Sequence, residues 1–192
     1  LMVIGLGMFL FGQGPVLIAQ ADLKVDVSDW KLIKALDQSA SVFAPRQMEV
    51  RIDSIETDIG QVLTVHHILK QSTEYSPNFL FALSYTIYPE GLIDTDSIAV
   101  VEDLLKTTVD NAVLMQNAEL LYSSAKDYKD YKGMIWKTKY GEGAYVMKSE
   151  IYYANDHLYM LQVGSMANLP TGDAVDHFFS SFKIQNFAFD KE

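Results

Sequence analysis

Met48-Glu49-Val50-Arg51-Ile52-Asp53 alternates apolar and charged side chains, the period-two pattern of a half-buried β-strand. The alternation slips at Ser54, which reads as a bulge, and resumes at Ile55. Asp58-Ile59-Gly60-Gln61 reads as a turn and Val62 to Leu69 as a second strand, so a hairpin is expected over 48–69. Phe79 to Tyr88 is almost continuously apolar and aromatic, as a strand covered on both faces should be, and Pro89-Glu90-Gly91 ends it.

The period then changes. Asp94-Thr95-Asp96-Ser97 offers helix caps and negative charge at the positive end of a helix dipole. Ile98, Val101, Leu105, Val109 and Ala112 follow at spacings of three and four, predicting a helix from 98 to about Leu121. Residues 122–140 form a polar, tyrosine-rich segment that enters a strand around Met134 to Lys139. Ala144 to Ala154 and Leu158 to Gly164 read as strands joined by Asn155-Asp156, a pair that tolerates the positive φ of a two-residue type I′ turn. That turn sets Tyr153 opposite Leu158, Ile151 opposite Met160 and Ser149 opposite Gln162, with Tyr152 opposite Tyr159 and Glu150 opposite Leu161. Pro170-Thr171 opens a short helix carrying Val175, Phe178, Phe179 and Phe182, before a closing extended segment from Lys183. Tight turns between consecutive strands make the expected fold α+β, a mainly antiparallel sheet flanked by helices on both faces.

Composition narrows the classes. The chain has 192 residues and no cysteine, which removes disulfides, thiolate metal sites and thiol nucleophiles. With 15 Lys+Arg against 25 Asp+Glu the formal charge is −10, unsuited to neutralising a nucleic-acid backbone, so no nucleic acid is expected as partner. Residues 1–21 carry no charge: an apolar run to Phe11, then Gly12-Gln13-Gly14-Pro15, then the small-x-small sequence Ala19-Gln20-Ala21. This order predicts a signal peptide over 1–21, although a basic n-region is absent, and a single domain over 22–192 in a periplasmic or extracellular protein. If retained, the same run is the one route to a membrane, as an anchor.

Motifs for chemistry are sparse. His66 and His67 are adjacent in a strand and point to opposite faces, so they cannot chelate one ion, and His67 shares its face with Leu63, Val65 and Leu69 as a core histidine bonded to backbone would. Asp173 and His177 are an i, i+4 pair, two ligands at most. Asp94-x-Asp96 lacks the glycine and distal glutamate of a calcium loop, and Ser123-x-x-Lys126 lacks the companion motifs of an acyl-transfer serine. Catalytic residues, metal and cofactors are therefore all expected to be none.

Residues 126–148 stand out. Six lysines (126, 129, 132, 137, 139 and 148) face three acids there, interleaved with Tyr128, Tyr131, Trp136, Tyr140 and Tyr145. Aromatic anchors with flanking cations suit a contact surface for a protein or anionic partner, and Lys129, Tyr131, Lys132 and Trp136 are its candidate residues. The same pattern also fits an edge hairpin whose lysines blunt sheet association while its aromatics pack inward.

Ile55 to Val62, Phe81 to Pro89, Tyr131-Lys132-Gly133, His157-Leu158-Tyr159 and Phe178 to Ile184 together resemble PsbP-like proteins, over about residues 40–185. The resemblance implies an α/β/α sandwich. It implies no single role, because that family includes a photosystem II extrinsic subunit, a nuclear-import factor that binds the Ran GTPase, and exported bacterial proteins; they share binding to other proteins without catalysis. No residue set carries over. The expectation is an exported, non-enzymatic binding or accessory protein; the alternative is a small-ligand or lipid carrier with a pocket between the sheet and the long helix.

Overall fold

The alternating segment and the run after it pair as expected in a computed structural model, which describes residues 26–57, 60–74, 76–94, 97–169 and 172–185. The leader, the Asp22 start, Asp58-Ile59, Thr95-Asp96 and Pro170-Thr171 lie outside the described residues. Two short strands precede the alternating segment, β1 (Lys31–Lys34) and β2 (Ala40–Ala44). Then come β3 (Glu49–Thr57), β4 (Gly60–Lys70), β5 (Asn78–Ile87), α1 (Ile98–Met115), β6 (Glu119–Ala125), β7 (Gly133–Tyr140), β8 (Tyr145–Ala154), β9 (His157–Met166), α2 (Gly172–Ser180) and β10 (Lys183–Ile184).

Seven strands form one sheet in the order β3-β4-β5-β9-β8-β7-β6, and every neighbouring pair is antiparallel. β1, β2 and β10 form a second, three-stranded sheet. The fold is α+β with a helix on each face of the large sheet. On one face α1 seats Val101, Leu104, Leu105 and Val109 against Trp136, Ile151, Tyr153, Leu158 and Met160. On the other, Val175, Phe178 and Phe179 of α2 meet Phe81, Leu83, Tyr85, Tyr159 and Leu161, with Val42 and Ile184 of the small sheet in the same cluster. Each fully buried aromatic or aliphatic side chain stabilises by about 1.5–3 kcal/mol, so these two layers supply most of the driving force.

The β8–β9 register is the one the turn predicts, from Tyr153 opposite Leu158 to Ser149 opposite Gln162, and Asn155 and Asp156 have φ of 51° and 57°. Three expectations fail. β3 pairs with β4 without a break from Glu49 to Thr57, so Ser54 is not a bulge; irregularities fall instead at Asn78/Leu80 and Leu120/Tyr122. α1 ends at Met115, not near Leu121, because Gln116 interrupts the apolar stripe and Asn117 takes a φ of 46° that leaves the helix. Ser97 is the N-cap residue, yet its side chain makes no capping hydrogen bond. Gly133 is required where it stands: a Cβ there would press on the Tyr152 ring and lie 2.5 Å from the Lys126 carbonyl oxygen and 2.6 Å from that of Ile151.

Candidate functional site

The four candidate contact residues do not form one surface. Trp136 is 0 % exposed, on the α1 side of β7, so it is a core residue and its proposed role as an exposed anchor is corrected. The reason is strand period: Met134, Trp136 and Thr138 point one way, and Ile135, Lys137 and Lys139 the other. Interleaved aromatics and lysines therefore sort onto opposite faces. Tyr131 is half-buried against the α2-side core, closing a tight turn in which it and Tyr128 exchange both backbone hydrogen bonds. Lys132 turns toward α1, with its Nζ 3.3 Å from Asp127 and 3.8 Å from Glu102. Lys129 is exposed at φ 54°, its Nζ over the Tyr128 ring at 5.5 Å.

What the segment does expose is β6. Among the described residues it is a terminal strand, bonded only to β7, and all seven of its residues are exposed. Leu120, Leu121 and Tyr122 are each more than 40 % exposed, and Leu114, at 77 %, and Met115 extend the apolar surface onto the end of α1. The two elements abut, since the Ala118 N–H donates to the Val113 carbonyl at 3.1 Å. The bulge between Leu120 and Tyr122 resets the faces: Leu120, Ser123 and Ala125 lie on the α1 side, and Tyr122 and Ser124 on the other, beside Lys137 and Ile135. Reading a helix through 121 hid this strand; the loss of the stripe at Gln116, followed by β-prone Leu120-Leu121-Tyr122, was the available signal.

A buried acid pins that edge. Glu150 on β8 is 1 % exposed, ion-paired through Oε1 with Lys126 just beyond β6, and it accepts the Tyr152 hydroxyl proton at Oε2 at 2.6 Å. Burial first, and Glu150 second, push the Tyr152 phenol far up, so Tyr152 remains a donor at any ordinary pH.

The remaining polar clusters bridge strands. Ser84 Oγ is 2.8 Å from His66 Nδ1, and His66 Nε2 is 3.5 Å from Asp53. Burial holds His66 below its usual pKa against the pull of Asp53. Ser84 lies in the middle of β5, paired with β4 on one side and β9 on the other, so the backbone around it is committed to the sheet ladder and offers no oxyanion donors. The neighbouring Thr64–Thr86 hydroxyl contact at 3.0 Å is a cross-strand pair of the same kind. His67 is buried as expected, but its Nε2 has no hydrogen-bond partner among the described residues, and burial lowers its pKa, favouring the neutral ring. His177 stands edge-on to Trp30, with ring centroids 4.9 Å apart. Among the described residues no group of three or more His, Asp and Glu could hold a metal.

Between α1 and the sheet lie the side chains that form the α1-side core. A cavity of about 530 Å³ lies at the end of α1, an open hollow lined by Gln116, Asn117, Glu119, Lys139, Tyr140 and Glu142. Its lining mixes polar and apolar surface in similar amounts, and it is open to solvent. No helix among the described residues is long and apolar enough to cross a membrane.

No family model matches the chain, and no curated protein matches it. Among solved structures it is similar to cyanobacterial PsbP (CyanoP) from Synechocystis sp. PCC 6803, at 14 % identity over 87 % of this chain and 98 % of that one, with a TM-score of 0.49. It is also similar to the protein of unknown function PA94 from Pseudomonas aeruginosa, at 10 % identity over 79 % of this chain and 89 % of that one, with a TM-score of 0.38.

Proposed function

We propose that this chain is an exported, non-catalytic binding protein that serves as an accessory to another protein. The observation that supports it is the apolar surface of Leu114, Met115, Leu120, Leu121 and Tyr122 at the free edge of the sheet. Scattered exposed apolar residues need no explanation, but a group contributed by adjoining elements at an edge strand has the character of a contact site. The Ser84–His66–Asp53 contacts, spent on joining strands, favour binding over catalysis. Export rests on the uncharged run over 1–21.

The test is site-specific photo-crosslinking in the native host, with a benzophenone amino acid at Leu121 and, as the control, at exposed Asp173 on α2. A defined protein adduct from Leu121 and none from Asp173 is expected. Absence of adducts from both positions would count against a binding role.

A further inference from the structure

Resting on that reading, we infer that β6 receives an extended, acidic segment of the partner as an added antiparallel strand. The two edges of the large sheet differ in kind. β3 carries Glu49, Arg51, Asp53 and Glu56, charges that discourage pairing along that edge. Beyond Glu119, β6 carries no charge from Leu120 to Ala125, and among the described residues its outer row of backbone donors and acceptors faces no neighbouring strand.

The charge beside this edge selects the occupant. Lys137 lies next to Tyr122 on one side and directly opposite Lys148 on the other. Lys148 is answered by Asp176 at 3.3 Å; Lys137 has no ion-pair partner among the described residues. Like charges placed opposite each other in a sheet repel, and an incoming acid would relieve the pair. In a chain of −10, this is where an anionic segment is attracted rather than expelled. On the α1 side the edge presents Leu120, with Leu114 and Met115 close by in the chain, so alternate positions of the added strand meet apolar surface. The matching segment therefore alternates acidic and apolar residues, joined by main-chain hydrogen bonds and sorted by side-chain face. A second copy of this chain fits less well, because it would bring Lys137 toward its own counterpart.

The probe is a fluorescent peptide about nine residues long that alternates valine and glutamate, read by anisotropy with the full chain. Three comparisons are made: lysine in place of glutamate, proline in place of the central valine, and Lys137→Glu in the protein. Each should weaken binding about ten-fold or more, and hydrogen exchange should slow at amides 120–125 when the glutamate peptide is present. The thermal midpoint of the Lys137→Glu variant should not fall, because the new carboxylate faces Lys148, and this separates lost binding from lost folding. Equal binding of the glutamate and lysine peptides, indifference to proline, or protection elsewhere in the chain overturns the inference. So does protection of 120–125 without peptide, accompanied by concentration-dependent dimerisation, which would assign the edge to a second copy. If Leu121 cross-links to a host protein while the acidic peptide fails to bind, the binding role stands and the partner chemistry assigned here falls.

Discussion

His157 and Asp37 join the two sheets: the imidazole Nε2 donates to the Asp37 carboxylate at 2.9 Å while Nδ1 donates to the Asn155 carbonyl at 2.6 Å. Both ring nitrogens face oxygens that can only accept, so the imidazolium is the form that satisfies both contacts. Burial opposes that charge, but the Asp37 and Asn155 hydrogen bonds outweigh it and raise the His157 pKa. Burial likewise opposes the Asp37 charge, and hydrogen bonds from His157 and Ser39 overcome it, lowering Asp37 to about 2. Asp37 lies between β1 and β2, and His157 opens β9, so the pair anchors the small sheet to the large one.

The signs of the two shifts fix a pH window. The His157 contribution is fully present below the ordinary histidine value of 6.5 and is lost as pH rises through the raised folded value. The Asp37 contribution is fully present above 3.8 and is lost as pH falls toward about 2. His157→Gln should therefore cost about 1.5–3 kcal/mol in urea denaturation between these limits and much less in alkaline buffer. An equal cost at alkaline pH would show that the imidazolium is not what the pair depends on.

Glu150 and Lys126 should behave as a unit. Lys126→Met leaves a buried carboxylate with only the Tyr152 hydroxyl and should cost about 3 kcal/mol or more. Adding Glu150→Met should restore most of that loss, measured by chemical denaturation in a double-mutant cycle. Simple additivity of the two costs would show the ion pair to be uncoupled.

Trp136 is expected to report on the core. Trp136→Ala should cost about 3–5 kcal/mol, and Trp136→Phe markedly less, since it removes an indole N–H that has no partner. Neither substitution should alter peptide capture at β6. A solvent-exposed emission maximum from Trp136 in a Trp30→Phe background would contradict this burial.

Ile151 opposes Met160 and is fully buried beneath α1. Ile151→Ala should destabilise by roughly 2–5 kcal/mol, seen as a lower denaturation midpoint with an unchanged slope.

Protein isolated from its native host should begin at Asp22, as Ala19-Gln20-Ala21 implies. N-terminal sequencing decides this, and an intact residue 1–21 segment on cytoplasmic protein would refute export.

Local order along the chain determined the strands over 48–69 and 79–88, the Asn155-Asp156 turn with its register, and both helices in outline. Each depends on side-chain period or on one turn, information carried by neighbours in sequence. β1 and β2 left no such trace: four and five residues long, they are held by pairing with each other, by β10 from the far end of the chain and by the α2 core. The fate of 116–148 was likewise a tertiary matter. Tyrosines, lysines and a tryptophan in one stretch are equally compatible with a surface and with a strand whose faces divide them. Only the position of β7 inside the sheet, with α1 on one side, sent Trp136 inward and left Lys137 on the other face. The same placement made β6 an edge, because an edge is defined by which strands lie beside it, and sequence alone does not state neighbours.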